Sequence, residues 1–303
     1  MTAQMGAASV AERLGAMEEL EPRAEGHRTL RRFLRHRLAM AGAIVLLLLC
    51  LAVVLAPLIA RQGPDAVDLY AQNQPPDHLH WFGTDATGRD IFARTLYGGR
   101  VSLLVGALAV VVSLVVGTLL GGVAGFFRGA WDMAIMRVTD VVMTFPQIVI
   151  ILTAAAMVGP GLRNTILIIG LLNWPIPCRL VRARLLSIRE MEFVQASRAL
   201  GVSSLRILVR VALPNAIDVI VVNASLGVAT AILLEAGMSF LGLGVQPPTP
   251  SWGNLLNAAR QLNILETYTW EWVPAAAAII VTVLCINLIG DGLRDAFDPR
   301  SER

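Results

Sequence analysis

The chain of 303 residues is 55% hydrophobic and only 16% charged, with a mean hydropathy of +0.64 and a formal net charge of +3. So little charge cannot cover the exterior of an ordinary soluble domain, and that class is excluded. All 25 basic residues are arginine; a P-loop needs a lysine to reach the outer phosphates, so an ordinary ATP-hydrolysing site is excluded too.

Residues 1–37 read as a cytoplasmic tail. The stretch to about residue 25 is rich in Ala and Glu and has little apolar material to bury. Arg28–Arg37 is a basic run suited to the anionic leaflet. The first span is expected over Leu38–Ala60, a retained signal anchor without a small-residue cleavage site. After it, Gly83-Thr84-Asp85 and Gly88-Arg89-Asp90 supply turn chemistry, with aspartates placed to cap the next helix. Ile91, Phe92, Leu96 and Tyr97 fall at helical spacing and predict an amphipathic helix leading into the second span. His78 and His80 have no carboxylate or cysteine pattern around them, and no metal is expected.

The second span, Val101–Phe127, carries Gly117, Gly121 and Gly125, a small-residue ridge for close helix packing within the subunit or against a partner. The third, Ala134–Val158, is expected to kink at Pro146 and to pair Arg137 with Asp140. Pro175 and Pro177 interrupt the fourth, Leu162–Cys178. The fifth, Ala216–Val245, holds Asn223 and Glu235; a buried acid is a functional candidate by default, with helix packing as the alternative. Pro247, Pro248 and Pro250 then forbid a helix, and Trp252, Trp270 and Trp272 suit a membrane interface. The sixth span is Val273–Ile289, with Asn287, Gly290 and Asp291 at its inner end. Cys50, Cys178 and Cys285 show neither metal nor disulfide spacing.

The arginines follow topology. Arg23, Arg28, Arg31, Arg32, Arg35 and Arg37 precede the first span, and Arg179, Arg182, Arg184, Arg189, Arg198, Arg206 and Arg210 fill the segment after the fourth. The positive-inside rule places both segments and both termini in the cytoplasm, with Arg294, Arg300 and Arg303 in agreement. The pI near 9.1 then needs no nucleic-acid partner. The expected organisation is a tail (1–37), a first helix with an extracytoplasmic segment (38–100), a transmembrane domain (101–290) with a cytoplasmic loop (179–215), and a tail (291–303).

Within that loop, EFVQASRALGVSSLRILVRVALP (Glu192 to Pro214) reads as a helix stopped by Gly201 and a second helix N-capped by Ser203 or Ser204 and closed by Pro214. It resembles the EAA loop of bacterial ABC importer permeases: Gln195-Ala196-Ser197 stands at Glu-Ala-Ala, with Gly201, Val211, Leu213 and Pro214 on register. The segments GTDATGRDIFARTLYGGRVSLLVG, SFLGLGVQPPTPSWGNLL and INLIGDGLRDAFDPR resemble the second permease subunit of the dipeptide, oligopeptide and nickel importers. The likeness runs from about Arg31 to Arg300.

The resemblance implies an all-α polytopic fold of type I importer architecture in the bacterial inner membrane. It implies a second permease, two ATPase subunits or one fused ATPase carrying ATP and Mg, an extracytoplasmic solute-binding protein, and no cofactor on this chain. Glu192, Gln195, Ala196, Arg198, Gly201, Leu213 and Pro214 would couple to the ATPase, Arg198 by pairing with acidic residues. Gly83, Asp85, Arg89, Asp90, Pro247, Pro248 and Trp252 are candidates for binding-protein contact or for the pore mouth. Glu235, Met238 and Phe240 are candidates for the pathway. Dipeptides or short peptides are the expected cargo, with nickel, glutathione or another small solute as alternatives. A proton-coupled carrier using Glu235 is the rival reading, and an intramembrane enzyme lacks a nucleophile–base pair.

Overall fold

A computed structural model describes residues 30–297. The Ala/Glu-rich stretch, Arg23, Arg28, Arg300 and Arg303 lie outside the described residues. The regular elements of the described residues are helices, with one isolated bridge, Thr84 to Asp90, in the irregular segment between Ala60 and Asp90. The described residues hold five helical segments long and apolar enough to cross a membrane, or six if one sharply bent pair counts as a span.

Helix α1 (Arg37–Val54) starts where the His36 ring accepts a hydrogen bond from the Ala39 N–H at 3.1 Å. The short α2 (Ala56–Ile59) extends it. At the far end of α1, Arg100 donates to the carbonyls of Val53 (2.8 Å) and Val54 (2.6 Å), neutralising the helix's negative terminus.

Helix α3 (Ile91–Phe127) has 37 residues. The amphipathic helix and the second span expected from sequence are one uninterrupted element. Asp90 caps it, accepting from the Ala93 N–H at 2.7 Å. At roughly 1.5 Å per residue it is about 55 Å long, well beyond the ~30 Å of a bilayer core.

Arg128 and Gly129 turn the chain with positive φ into α4 (Gly129–Thr144), which meets α5 (Gln147–Val158) at 87°. The expected kink at Pro146 is a near right angle, because proline removes an N–H and drives Phe145 to extended geometry (φ −91°, ψ 143°). The expected Arg137–Asp140 pair does not form: Asp140 bonds Arg179 at 2.5 Å.

Helices α6 (Leu162–Leu172) and α7 (Pro175–Ile188) form one span despite the two prolines. Pro175 opens α7, where a missing N–H costs nothing. The span therefore reaches Ile188 rather than Cys178, and carries Arg179, Arg182 and Arg184 on its last turns. The α3 glycine ridge packs on α7 within the subunit. A methyl group on Gly117 would lie 2.8 Å from Pro177, and one on Gly125 2.7 Å from the Arg182 carbonyl.

Beyond α7 come α8 (Glu192–Ala199) and α9 (Ser204–Ile207), then a π-helical turn (Leu208–Ala212) and a 3-10 turn (Pro214–Ala216). Helix α10 (Ile217–Phe240) stops short of the expected Val245, where Gly242 takes φ +80°. The short α11 (Trp252–Asn257) and α12 (Leu262–Glu266) precede the last span, α13 (Val273–Phe297). Helix α13 runs past the expected Ile289 and packs on α1, with His36 3.5 Å from Asp295.

Candidate functional site: two ends of one long helix

At the Phe127 end of α3, the α8–α9 hairpin rests on a small apolar core. Val194, Ile207, Leu208, Ala212 and Ala216 pack there with Phe126, Val181, Leu185 and Ile188. Gly201 ends α8 by a Schellman motif: its N–H donates to the Arg198 carbonyl (2.9 Å), and the Val202 N–H donates to the Ser197 carbonyl (3.1 Å). Its φ is +78° and open space surrounds its Cα, so backbone conformation, not crowding, requires glycine. Ser203 occupies the N-cap of α9 but makes no side-chain cap bond, contrary to the sequence expectation. Pro214 opens the 3-10 turn into α10 rather than closing a helix.

Of the coupling candidates, Glu192, Gln195, Ala196, Arg198, Gly201 and Pro214 are exposed, and Leu213 is half-buried. Phe193, Leu200 and Leu205 are exposed beside them, Leu200 by 83%. These three lie outside the expected coupling set; their signal in the sequence is apolar side chains in a hairpin too short to bury them. Arg198 is already engaged, its guanidinium 5.2 Å from the centre of the Phe126 ring. Arg189 donates to the Phe126 carbonyl at 2.6 Å, and Arg128 pairs with Glu190 at 3.1 Å, so the hairpin base is tied to the end of α3.

At the Ile91 end, the 83–90 turn is held from within. Asp85 accepts from the Thr87 N–H (2.8 Å), the Thr87 hydroxyl (2.7 Å), and the Arg89 N–H (3.1 Å) and Nε (2.7 Å). Burial opposes ionisation there, yet these donors hold the Asp85 carboxyl below the usual carboxylate range. Asp90 caps α3 and bonds the His80 ring at 2.8 Å. Gly83 takes φ +74°, and a methyl group on it would meet the Gln74 carbonyl and Trp270. Gly83, Asp85, Asp90 and Trp252 are all buried; Pro247 and Pro248 are exposed and Arg89 is partly so. Trp252, expected to suit a membrane interface, is enclosed within the subunit. It is 1% exposed, with its indole N–H donating to the Thr95 carbonyl at 2.9 Å.

Glu235 lies at the centre of the same end. The hydroxyls of Ser102 (2.9 Å) and Ser239 (2.7 Å) donate to its carboxyl, and Ser102 also accepts the Trp252 N–H at 3.1 Å. One carboxyl thus joins α3, α10 and the start of α11. Glu235 and Met238 have no exposed surface and Phe240 is half-buried. The first two, expected along a pathway, are enclosed within the subunit by packing. One cavity among the spans, about 240 Å³ between α3, α6, α7 and α10, is lined by Ser113, Asn173, Asn223 and Thr230 among apolar neighbours. Of these polar residues sequence reasoning named only Asn223; the others share its signal, a polar side chain in an apolar span.

A bundle of helices long and apolar enough to cross a membrane, with an exposed hairpin at one end, defines a polytopic membrane protein. Residues 117–303 match the family described as the binding-protein-dependent transport system inner membrane component, and residues 26–76 match the N-terminal transmembrane domain of oligopeptide transport permease C. A peptide permease protein of Brucella suis biovar 1 is 50% identical over 96% of this chain and 97% of its own length. The dipeptide transport system permease protein DppC of Alkalihalophilus pseudofirmus is 42% identical over 88% of this chain and 87% of its own. The glutathione transport system permease protein GsiD of Escherichia coli is 40% identical over 95% of each. The inward-facing MetNI methionine ABC transporter shares the fold, with a TM-score of 0.55 and 19% identity over 69% of this chain and 97% of that one. The chain belongs to the ABC importer permeases of the oligopeptide and dipeptide family.

Proposed function

We propose that this chain pairs with a second permease in the bacterial inner membrane to form the pathway for dipeptides or short oligopeptides. The observation that carries this reading is the α8–α9 hairpin: a rigid element anchored on Phe126 that leaves Phe193, Leu200 and Leu205 uncovered. Exposed apolar side chains on a stiff hairpin suit burial in a cleft of a separate ATPase, which supplies the ATP and Mg that this lysine-free chain has no P-loop to hold. Glu192, Gln195, Ala196 and Gly201 line the same surface. ATPase closure would then move the hairpin and, through its anchor, α3.

The hairpin is on the cytoplasmic side in this reading, as the arginine distribution expects, and the 83–90 and 247–253 segments face the extracytoplasmic binding protein. Arg89, Pro247 and Pro248 are the accessible members of that rim. Relatives named for dipeptide and glutathione transport support small peptides as cargo. The proton-carrier alternative is not favoured, because Glu235 is held by hydroxyl groups and has no exposed surface.

Purification of the tagged chain from its native membrane, followed by an ATPase assay, tests this reading. Recovery of a second permease and an ATPase, with hydrolysis stimulated by peptide-loaded binding protein, is the expected result. Recovery of the chain alone, with proton-dependent uptake in liposomes, would overturn it.

A further inference from the structure

The cavity of about 240 Å³ between α3, α6, α7 and α10 has no charged residue in its walls, and four of its lining residues carry polar side chains. Two of the four are committed within the chain. Asn173, where α6 gives way to α7, donates to the Ile169 carbonyl at 3.0 Å and accepts from the Gln147 side chain. The Thr230 hydroxyl donates to the Leu226 carbonyl at 3.2 Å. The other two, Ser113 on α3 and Asn223 on α10, have side chains with no hydrogen-bond partner among the described residues.

Ser113 is 6% exposed. Hydroxyls on the same and neighbouring helices return to their own backbone: Thr95, Thr139, Thr153 and Thr165 each donate to the carbonyl four residues back, at 2.7 to 2.9 Å. Ser113 makes no such bond. A buried hydroxyl and a carboxamide without partners are costly, and they call for an occupant that brings both a donor and an acceptor.

The rest of the wall is apolar, with Val110, Leu114, Ile169, Ile176 and Leu226 prominent in it. A lipid acyl chain would match that wall and leave both polar groups unpaired. A metal ion would find a hydroxyl and amides but no carboxylate, imidazole or thiolate. The charged ends of a peptide would find no counter-charge. A peptide amide, by contrast, is neutral and offers one N–H and one C=O, and a carboxamide such as Asn223 can donate as well as accept. Two of the four walls also continue into the coupling hairpin, since α7 precedes it and α10 follows it in the chain.

We propose that this cavity is a cargo subsite, in which Ser113 and Asn223 hydrogen-bond a backbone amide of the passing peptide. Contact with the backbone makes passage indifferent to peptide sequence and disfavours solutes that lack an amide. The cavity is smaller than the roughly 300 Å³ at which drug-sized ligand sites begin, so it holds one peptide unit and its flanks. The subsite rests on the peptide-transport reading above.

The test uses the native complex in liposomes with its binding protein fully loaded. Uptake of trialanine is compared with uptake of its analogue bearing esters in place of both peptide amides. Full loading removes the binding protein's own preference from the comparison. The native complex should favour the amide about three- to tenfold. Asn223→Leu, which keeps the side-chain volume, should bring that ratio toward one by slowing trialanine, and Ser113→Ala should act in the same direction. Neither side chain has a partner within the chain, so both variants should keep the native melting temperature, which a structural role would lower. Asn223→Cys should react with a small methanethiosulfonate in the resting complex, above the background of the native cysteines, and be shielded during turnover with loaded binding protein. A ratio unchanged in both variants, or a lowered melting temperature with the ratio intact, would overturn the subsite and leave the transport reading standing. So would an Asn223→Cys thiol already shielded in the resting complex, which would assign the cavity to the contact with the second permease. Failure of the native complex to take up trialanine would overturn the peptide reading and the subsite with it.

Discussion

Gly121 of α3 and Cys178 of α7 are in such close contact that a methyl group on the glycine would overlap the Cys178 carbonyl. Cys178 is itself fully buried, so neither backbone has room to yield. Gly121→Ala should therefore separate the two helices and cost roughly 1–3 kcal/mol. Gly237, a helical glycine which has nothing within 4 Å of where a methyl would sit, supplies the control, and Gly237→Ala should keep or raise the stability by up to about 1 kcal/mol. Thermal unfolding of the two variants in the same detergent compares them directly. Equal melting temperatures would show that α3 and α7 are not locked by this contact.

Gly201 needs its φ of +78° and nothing else. Gly201→Ala is expected to cost about 1–2 kcal/mol of hairpin stability. Gly201→Pro should go further, removing the N–H that bonds the Arg198 carbonyl and forcing a negative φ. Uptake should be abolished while membrane insertion stays normal. Wild-type uptake by the proline variant would sink the coupling assignment.

Glu235 is expected to act as a structural knot. Glu235→Ala leaves the Ser102 and Ser239 hydroxyls without their acceptor and should cost roughly 3 kcal/mol. Glu235→Gln keeps an acceptor and should cost far less, with transport showing the same pH dependence as the native protein. A double-mutant cycle with Ser102→Ala measures the coupling, and additivity would mean that the two side chains do not interact.

Burial, reinforced by the Asp85 charge and opposed by Arg89, pushes the Glu271 carboxyl from its ordinary 4.5 up to about 7. The folded state then binds this proton more tightly than the unfolded chain does. The resulting stability is fully present below pH 4.5 and is lost as the pH rises through about 7. Protection of the 254–271 segment in hydrogen exchange should fall over that window and stay flat in Glu271→Gln. A window that persists in the glutamine variant would assign the titration to another group.

How far these features can be read from sequence depends on the distance between the residues involved. Gly201 marks its hairpin because a Schellman stop is local, and the apolar runs mark the spans because a span is contiguous. The length of α3 is hidden by a change of composition near Val101, where amphipathic residues give way to apolar ones without any break in the backbone. Pro175 and Pro146 look alike in sequence. One opens a helix after Trp174, and the other lies at an 87° bend between two helices. The Glu235 site is illegible because Ser102 lies 133 positions away. The same kind of separation hides the burial of Trp252 against α3, where it meets Ser102 and Thr95.

Under the proposed function, the unbroken length of α3 would set a mechanical ratio between its two ends. Asp90 fixes one end in the rim turn, and Phe126 fixes the other under the hairpin. A rod about 55 Å long that tilts by about 10° around its inner end sweeps its outer end through about 10 Å. In the proposed transport reading, small rotations at the base would become side-chain-sized displacements at the rim, carried by one continuous helix.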